Sequence, residues 1–388
     1  MITKKNKINV AVIFLILTTL LVGACKDSFN FNLENTKVEG TINPIFAVPL
    51  IDAKLTLEQF LPEDDDLNRF LIIDDDGFMT IAYKDRISEY SIEDFLDGED
   101  LSGPSLPFIQ YSIDTQILDL NLNDVLSSGN LYLANPCIKL LIINYWDIPA
   151  KFRFKDFFYY KEKDSDPIPV TGSAIDEWHF VDQPANIGDS VTFPIILDTL
   201  TSNIDEVISA LPHHLSFGAD FETIPGNPYE LPAGSVNKVD LEVKIPLELS
   251  LSDILLTDTL DFEIDINTDT AKVNLITINF GAENGFPLGI NSQVYFTDKD
   301  YIIIDSLFTN RLNLLPAKVS NGIVNESVKT KETIKISSDR MDKILEAKYI
   351  IAHALINTTD ANSTEVKLYS TYNFGIKLST LIDVEASL

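Results

Sequence analysis

The side chains that could do chemistry in this chain are four histidines, two cysteines, a few acidic runs and one dense aromatic stretch. A zinc site wants His, Cys or carboxylate ligands converging on one ion. His213 and His214 are consecutive. On a strand they would point to opposite faces and could not easily share one ion; a loop after Pro212 is the preferred placement, and no metal site is expected. His353 sits in the alternating run Tyr349–Ile356 and reads as a sheet residue. No Gly-x-Ser-x-Gly elbow, His-Glu-x-x-His pair or glycine-rich phosphate loop occurs, so neither catalytic residues nor a cofactor are expected. The runs Glu63–Asp66 and Asp74–Asp76 are rich in oxygen, but neither has the spaced ligands of a calcium loop, and solvated turns are expected. Nothing singles out two of the 59 acids as a glycosidase pair. Cys137, in Asn135-Pro-Cys-Ile-Lys-Leu140, enters an apolar strand and reads as an inert thiol. The aromatic stretch runs from Tyr145 and Trp146 through Phe152, Phe154, Phe157, Phe158, Tyr159 and Tyr160, with Trp178 beyond it. Phe152 and Phe154 alternate with Lys151, Arg153 and Lys155, giving one apolar and one basic face. Such a strand either fills a core or forms a partner-binding edge. On the second reading Phe152, Phe154, Phe157, Tyr159 and Trp178 are the contact residues, since aromatics and Arg are enriched at interface hot spots.

Composition narrows the partners. The chain has 388 residues, with 59 acidic and 29 basic side chains and a formal charge of −30. Nothing of that charge neutralises a run of phosphates, which excludes nucleic acid, or docks through a basic face on anionic lipid. A hydrophobic content of 45% excludes wholesale disorder, and the length leaves room for two or three domains. The N-terminus carries Lys4, Lys5 and Lys7, then 13 largely apolar residues from Val10 to Val22. That is short of the ~20 residues of a membrane span and has the form of a secretory signal. Its end, Leu21-Val-Gly-Ala-Cys25, resembles the lipobox of bacterial lipoproteins. The resemblance implies cleavage before Cys25, leaving 364 residues of charge −33 once three lysines are gone. It also implies acylation of Cys25, so the membrane partner is met through acyl chains, several of which anchor stably where one would be marginal. Lys26-Asp27-Ser28 is similar to the surface-export tract of Bacteroidota lipoproteins. The expected address is the outer membrane, facing the cell surface, with its periplasmic face as the alternative.

Strands dominate the remainder. Phe70–Tyr83 is two β-rich runs around Asp-Gly, a hairpin pattern. Lys238–Ile245 alternates with period two, and Leu260–Ile266, Lys272–Phe280, Gln293–Phe296 and Val366–Leu378 behave alike. Short helices are expected at Leu57–Leu61, Ile92–Leu96, Ile204–Leu211 and Met341–Ala347, capped by Thr56, Ser91, Asn203 and Asp339. The expected fold is all-β, with two tandem antiparallel β-sandwich domains and a few short helices. The segments are a signal peptide at 1–24, a lipidated tether at 25–40, a first sandwich with an N-terminal hairpin region at 41–235 and a second at 236–388. An internal repeat supports two related units: Leu140–Tyr145 matches Leu275–Phe280, Ser202–Ile208 matches Asp339–Leu345, and Lys238–Leu241 matches Glu365–Leu368. The Val48-Pro-Leu50 segment echoes Ile245-Pro-Leu247.

Asn279-Phe-Gly-Ala-Glu-Asn-Gly-Phe-Pro287-Leu resembles the Asn-x-Pro strand-turn of late-embryogenesis-abundant and water-stress (WHy) sandwich domains. Ile42–Leu50 is similar to the start of Bacteroidota envelope lipoproteins. These resemblances imply a fold and an address and bring no catalytic residues. The expected function is non-enzymatic: a binding or scaffold accessory subunit of an outer-membrane protein assembly. The alternatives are a glycan- or nutrient-binding surface lipoprotein, needing exposed Trp146 or Trp178, and a carrier of a lipid or apolar ligand, needing a cavity.

Overall fold

A computed structural model describes residues 41–42, 45–60, 71–91, 108, 110–119, 128–186, 188–224, 236–262, 271–361 and 363–387. The signal segment, Cys25, the tether, the Glu63–Asp66 run and the helix expected at Ile92–Leu96 lie outside them. In chain order the main strands are β1 (Ile45–Thr56), β2 (Leu71–Ile73), β3 (Met79–Ser91), β4 (Gln110–Asp119), β5 (Cys137–Asn144), β6 (Ala150–Tyr160), β7 (His179–Val181), β8 (Val191–Leu197) and β9 (His214–Thr223). They continue with β10 (Val236–Pro246), β11 (Ile254–Asp261), β12 (Ala271–Asn284), β13 (Leu288–Thr297), β14 (Leu312–Leu314), β15 (Val328–Ser337), β16 (Tyr349–Thr358) and β17 (Asn373–Ser387). Helices are short: α1 (Leu57–Phe60), α2 (Ser173–Asp176), α3 (Ile204–Ser209) and α4 (Ser338–Leu345). The all-β expectation holds, and the pairings are antiparallel.

Local signals form as read. The Asp-Gly hairpin joins β2 to β3, with Gly77 at φ 88 and the Phe78 N–H donating to the Asp76 carboxylate. β10 is sandwiched between β3 and β5. α4 begins three residues before the expected Met341, after Ser337 in extended conformation, so Asp339 lies in its first turn and does not cap it. Asn203 precedes α3, but its Oδ1 accepts from the Thr171 N–H and leaves the helix end without a side-chain cap.

The chain divides into two compact units, Glu63–Ser250 and a second made of Met1–Pro62 with Leu251–Leu388. This corrects the expected boundary at 235/236. β1 pairs with β17 from Ile45↔Asp383 to Thr56↔Asn373, more than 300 residues apart. β10 pairs with β3 and β5, so it closes the inserted unit and does not open the next. One sandwich is therefore inserted, in sequence, after the first strand of the other.

Each unit has the same strand order. In Glu63–Ser250 the sheets run β8-β5-β10-β3-β2 and β7-β6-β9-β4. In the other unit β15-β12-β17-β1 and β14-β13-β16-β11 repeat that order. The Ser202–Ile208 match is real in three dimensions: α3 precedes β9 and α4 precedes β16, with Val207 and Ile344 buried alike. The other matches shift. The strand-turn Asn equivalent to Asn144 is Asn284, not Asn279. Asn144 Nδ2 donates to the carbonyls of Ile148 and Asp182, and its Oδ1 accepts from the Trp146 N–H, each at 3.0 Å. Asn284 does the same toward Leu288, Leu315 and Phe286 at 2.8, 2.9 and 2.9 Å. Asn279 is exposed and accepts from Thr333 on the outer face; a slip of five is odd and reverses the face. Likewise β10 corresponds to β17, so Glu365–Leu368 is displaced, and β1 corresponds to β3, which removes the Val48/Ile245 echo.

Candidate functional site: the aromatic strand, the edge strand and a histidine pair

The aromatic strand β6 lies beside β9 in the interior of its sheet order. Its aromatics mostly fill the core. Phe152 touches His179, which in turn meets Phe193 of β8 in the facing sheet, at ring distances of 5.3 and 6.1 Å. Phe154 contacts Phe157 at 5.3 Å although they are three residues apart. Asp156, at φ 51, and a register shift between Ser216 and Gly218 insert an extra residue here, which turns Phe157 to the same side as Phe154. Of the expected contact residues, Phe154 and Tyr159 are buried at 8% and 7% exposure, and Phe152 and Phe157 are half-buried. They therefore cannot form one open docking face.

The basic face is neutralised by its neighbour strand. Lys151 reaches Glu222 at 2.7 Å and Arg153 reaches Asp220 at 3.3 Å. The Ser112 hydroxyl, with Arg153, holds Asp220 below the ordinary carboxylate range. Trp178 lies beneath the same two cations, 4.3 Å from Lys151 Nζ and 4.9 Å from the Arg153 guanidinium. Trp146 is 2% exposed. Trp146 is closed to stacking on a sugar, and Trp178 is half-buried with two cations over its ring.

The other singled-out groups are structural. His353 packs edge-on to Tyr295, and burial, with Arg311 nearby, lowers its pKa. His179 Nε2 lies 2.8 Å from the Ala174 carbonyl. Cys137 opens β5, half-buried, and burial pushes its thiol pKa up. An open depression of about 440 Å³ is lined by Asp261, Phe262, Lys299, Lys348 and Tyr349, too polar to resemble a lipid tunnel.

Two features escaped the sequence. The first is β4, which among the described residues is the edge strand beyond β9. Phe108 just before it, and Ile117 and Leu118 near its end, are exposed by 56%, 68% and 38%. β4 carries no Lys, Arg or Pro, whereas the edge strand β15 carries Lys329, Lys331 and Lys335. Only the latter carries the lysines that commonly guard a free edge. The signal was present in Gln110–Asp119, an alternating run whose charges are Asp114 and Asp119 alone.

The second is the histidine pair. His213 lies in the turn between α3 and β9, so strand alternation does not apply to it. Leu211, at φ 49, turns the chain there, and the His213 N–H donates to the Tyr160 carbonyl at 2.7 Å. The two Nδ1 atoms stand 3.2 Å apart. His214, cross-strand from Asp119 and Tyr160, stacks on the Tyr160 ring at 4.1 Å.

No protein family and no curated protein matches the chain. A crystal structure of a Parabacteroides distasonis protein described as secreted aligns at a TM-score of 0.43 and 12% identity, over 87% of this chain and 99% of that one. The infectious bursal disease virus Gx strain aligns at 0.18 and 10%, over 74% of this chain and 73% of that one. The VP2 subviral particle of the same virus aligns at 0.18 and 9%, over 75% and 79%. Alignments this loose carry no argument about what the chain does or where it resides.

Proposed function

We propose that the chain is a non-enzymatic, lipid-anchored binding subunit of an outer-membrane assembly, facing the cell surface, and that it holds an extended segment of a protein partner along β4. The address rests on the lipobox-like Leu21–Cys25 and the tract after it. The binding mode rests on one observation: among the described residues β4 is an edge strand whose apolar side chains are exposed and which bears no Lys, Arg or Pro. Such an edge offers a row of backbone donors and acceptors for strand addition, with side-chain contacts for specificity. The earlier candidate, the Phe152–Tyr160 face, gives way to β4 because its aromatics point inward.

The test is co-purification of the full chain from its native membrane in mild detergent. Wild type should bring a stoichiometric protein, and Ile117→Lys with Leu118→Lys should lose it while the thermal midpoint stays put, since both side chains are exposed. Cys25→Ala should release the protein from the membrane fraction. Retention of the partner by the lysine variant, or a wild type that comes away alone, would overturn the β4 assignment.

A further inference from the structure

We propose that Asp119, His213 and His214 form a Zn²⁺ site that ties the last residue of the edge strand β4 to the start of β9. Ligand atoms of the three lie within 4.8 Å of one another. The observation with most weight is the Nδ1···Nδ1 separation of 3.2 Å. Two imidazoles bound at ~2.0–2.1 Å to one tetrahedral ion have their nitrogens about 3.3 Å apart, so the pair already stands at chelating distance. The backbone holds it there. His213 is fixed by its N–H bond to the Tyr160 carbonyl, and His214 by its stack on the Tyr160 ring. The two rings are perpendicular, at 89°, which lets both lone pairs converge without the planes colliding.

Asp119 is exposed and is the cross-strand neighbour of His214, so a side-chain rotation brings its carboxylate to the ion. Two neutral nitrogens and one carboxylate suit Zn²⁺ among the available divalent ions, and a hard cation such as Mg²⁺ or Ca²⁺ would want more oxygen. The three ligands leave a fourth position at the solvent side, filled by water. A cation is also favoured by the formal charge of −30 on the chain.

The competing arrangement is a pair joined by one Nδ1–H···Nδ1 hydrogen bond with no affinity for metal. The experiment uses untagged full chain, stripped with chelator, and titrates Co²⁺ as a spectroscopic probe, followed by Zn²⁺ in competition with a chromophoric chelator. One ion per chain, with tetrahedral Co²⁺ bands that Zn²⁺ abolishes, is expected. His213→Gln and Asp119→Asn, at half-buried and exposed positions, should each weaken Zn²⁺ at least ~10-fold, the lower end of what even an outer-shell partner costs, with unchanged far-ultraviolet circular dichroism. Absence of Co²⁺ bands in wild type, or undiminished Zn²⁺ affinity in the doubly substituted chain, would overturn the site. A loss confined to His213→Gln would overturn the three-ligand assignment by removing Asp119 from it.

Discussion

Asn144 is the side chain whose removal should cost the Glu63–Ser250 unit most per atom. It is almost fully buried and serves three backbone groups: it accepts from the Trp146 N–H and donates to the Ile148 and Asp182 carbonyls, each at 3.0 Å. Alanine there removes all three bonds, two of them buried and the third partly so. At about 1 kcal/mol for a lost bond, and up to ~3 for a buried group left unsatisfied, the sum is about 3 kcal/mol. With a urea slope of ~2 kcal/mol per molar, the midpoint falls by about 1.5 M. Both tryptophans, Trp146 and Trp178, belong to this unit, so fluorescence-detected urea unfolding reads it directly. Asn144→Asp separates the bonds. It keeps the acceptor for Trp146 but sets a carboxylate against two carbonyl oxygens, which raises its folded-state pKa above the unfolded ~3.9. A group raised in the folded state supports folding only while protonated. The aspartate variant is therefore worse than alanine near neutral pH, and the gap closes as the pH falls through the raised value. Asn186→Ala, an exposed position bonded to Asp189, is the control and should stay within ~0.5 kcal/mol. A midpoint shift in Asn144→Ala no larger than that of the control would refute the reasoning, because water would then be standing in for the amide.

Arg340 donates to both carboxylate oxygens of Asp305 and to the Lys335 and Ser306 carbonyls, with both charged groups mostly buried. Arg340→Ala should destabilise by ~2 kcal/mol in calorimetry, discounted from the buried-pair range for residual exposure, and Arg340→Lys should restore less than half, lacking the fork. Burial raises the Cys137 pKa, so in a Cys25→Ser chain its alkylation by iodoacetamide should be slower folded than in urea. The folded rate should still be climbing at a pH where the rate of a free thiol has levelled off; equal folded and unfolded profiles would sink the assignment. Residues 63–250 expressed alone should fold and show blue-shifted tryptophan emission, because β2 to β10 pair among themselves; a molten, red-shifted product would contradict the division into units.

What was legible in the sequence was local. Alternation placed β10 and β12, Asp-Gly placed the β2–β3 turn, and the Ser202–Ile208 match located α3 and α4. Nested order was not legible, because the β1–β17 pairing joins residues over 300 apart and alternation carries no partner identity. The repeat was set five residues out because the run around Asn279 resembles that around Asn144 in composition, while the Asn that brackets the turn is followed by Gly-Phe-Pro. The aromatic strand was read with a strict period of two, and one left-handed residue, Asp156, breaks that period. The loop expected after Pro212 holds for His213, in the turn, and not for His214, which opens β9, and neither placement reveals that the two rings meet.

The place of the insertion follows from the same bracket. β1 and β11 belong to different sheets of their unit, as β3 and β4 do in theirs, so the chain leaves one sheet and enters the other between them. Lengthening such a crossing breaks no ladder, and its entropic cost grows only with the logarithm of length. The crossing from β12 to β13 could not have been lengthened in that way. There Asn284 must reach the Phe286 N–H two residues on and the Leu288 carbonyl four residues on, and any added residue separates them. Of these two inter-sheet crossings, the one bracketed by Asn284 stays short, and the other carries a second sandwich.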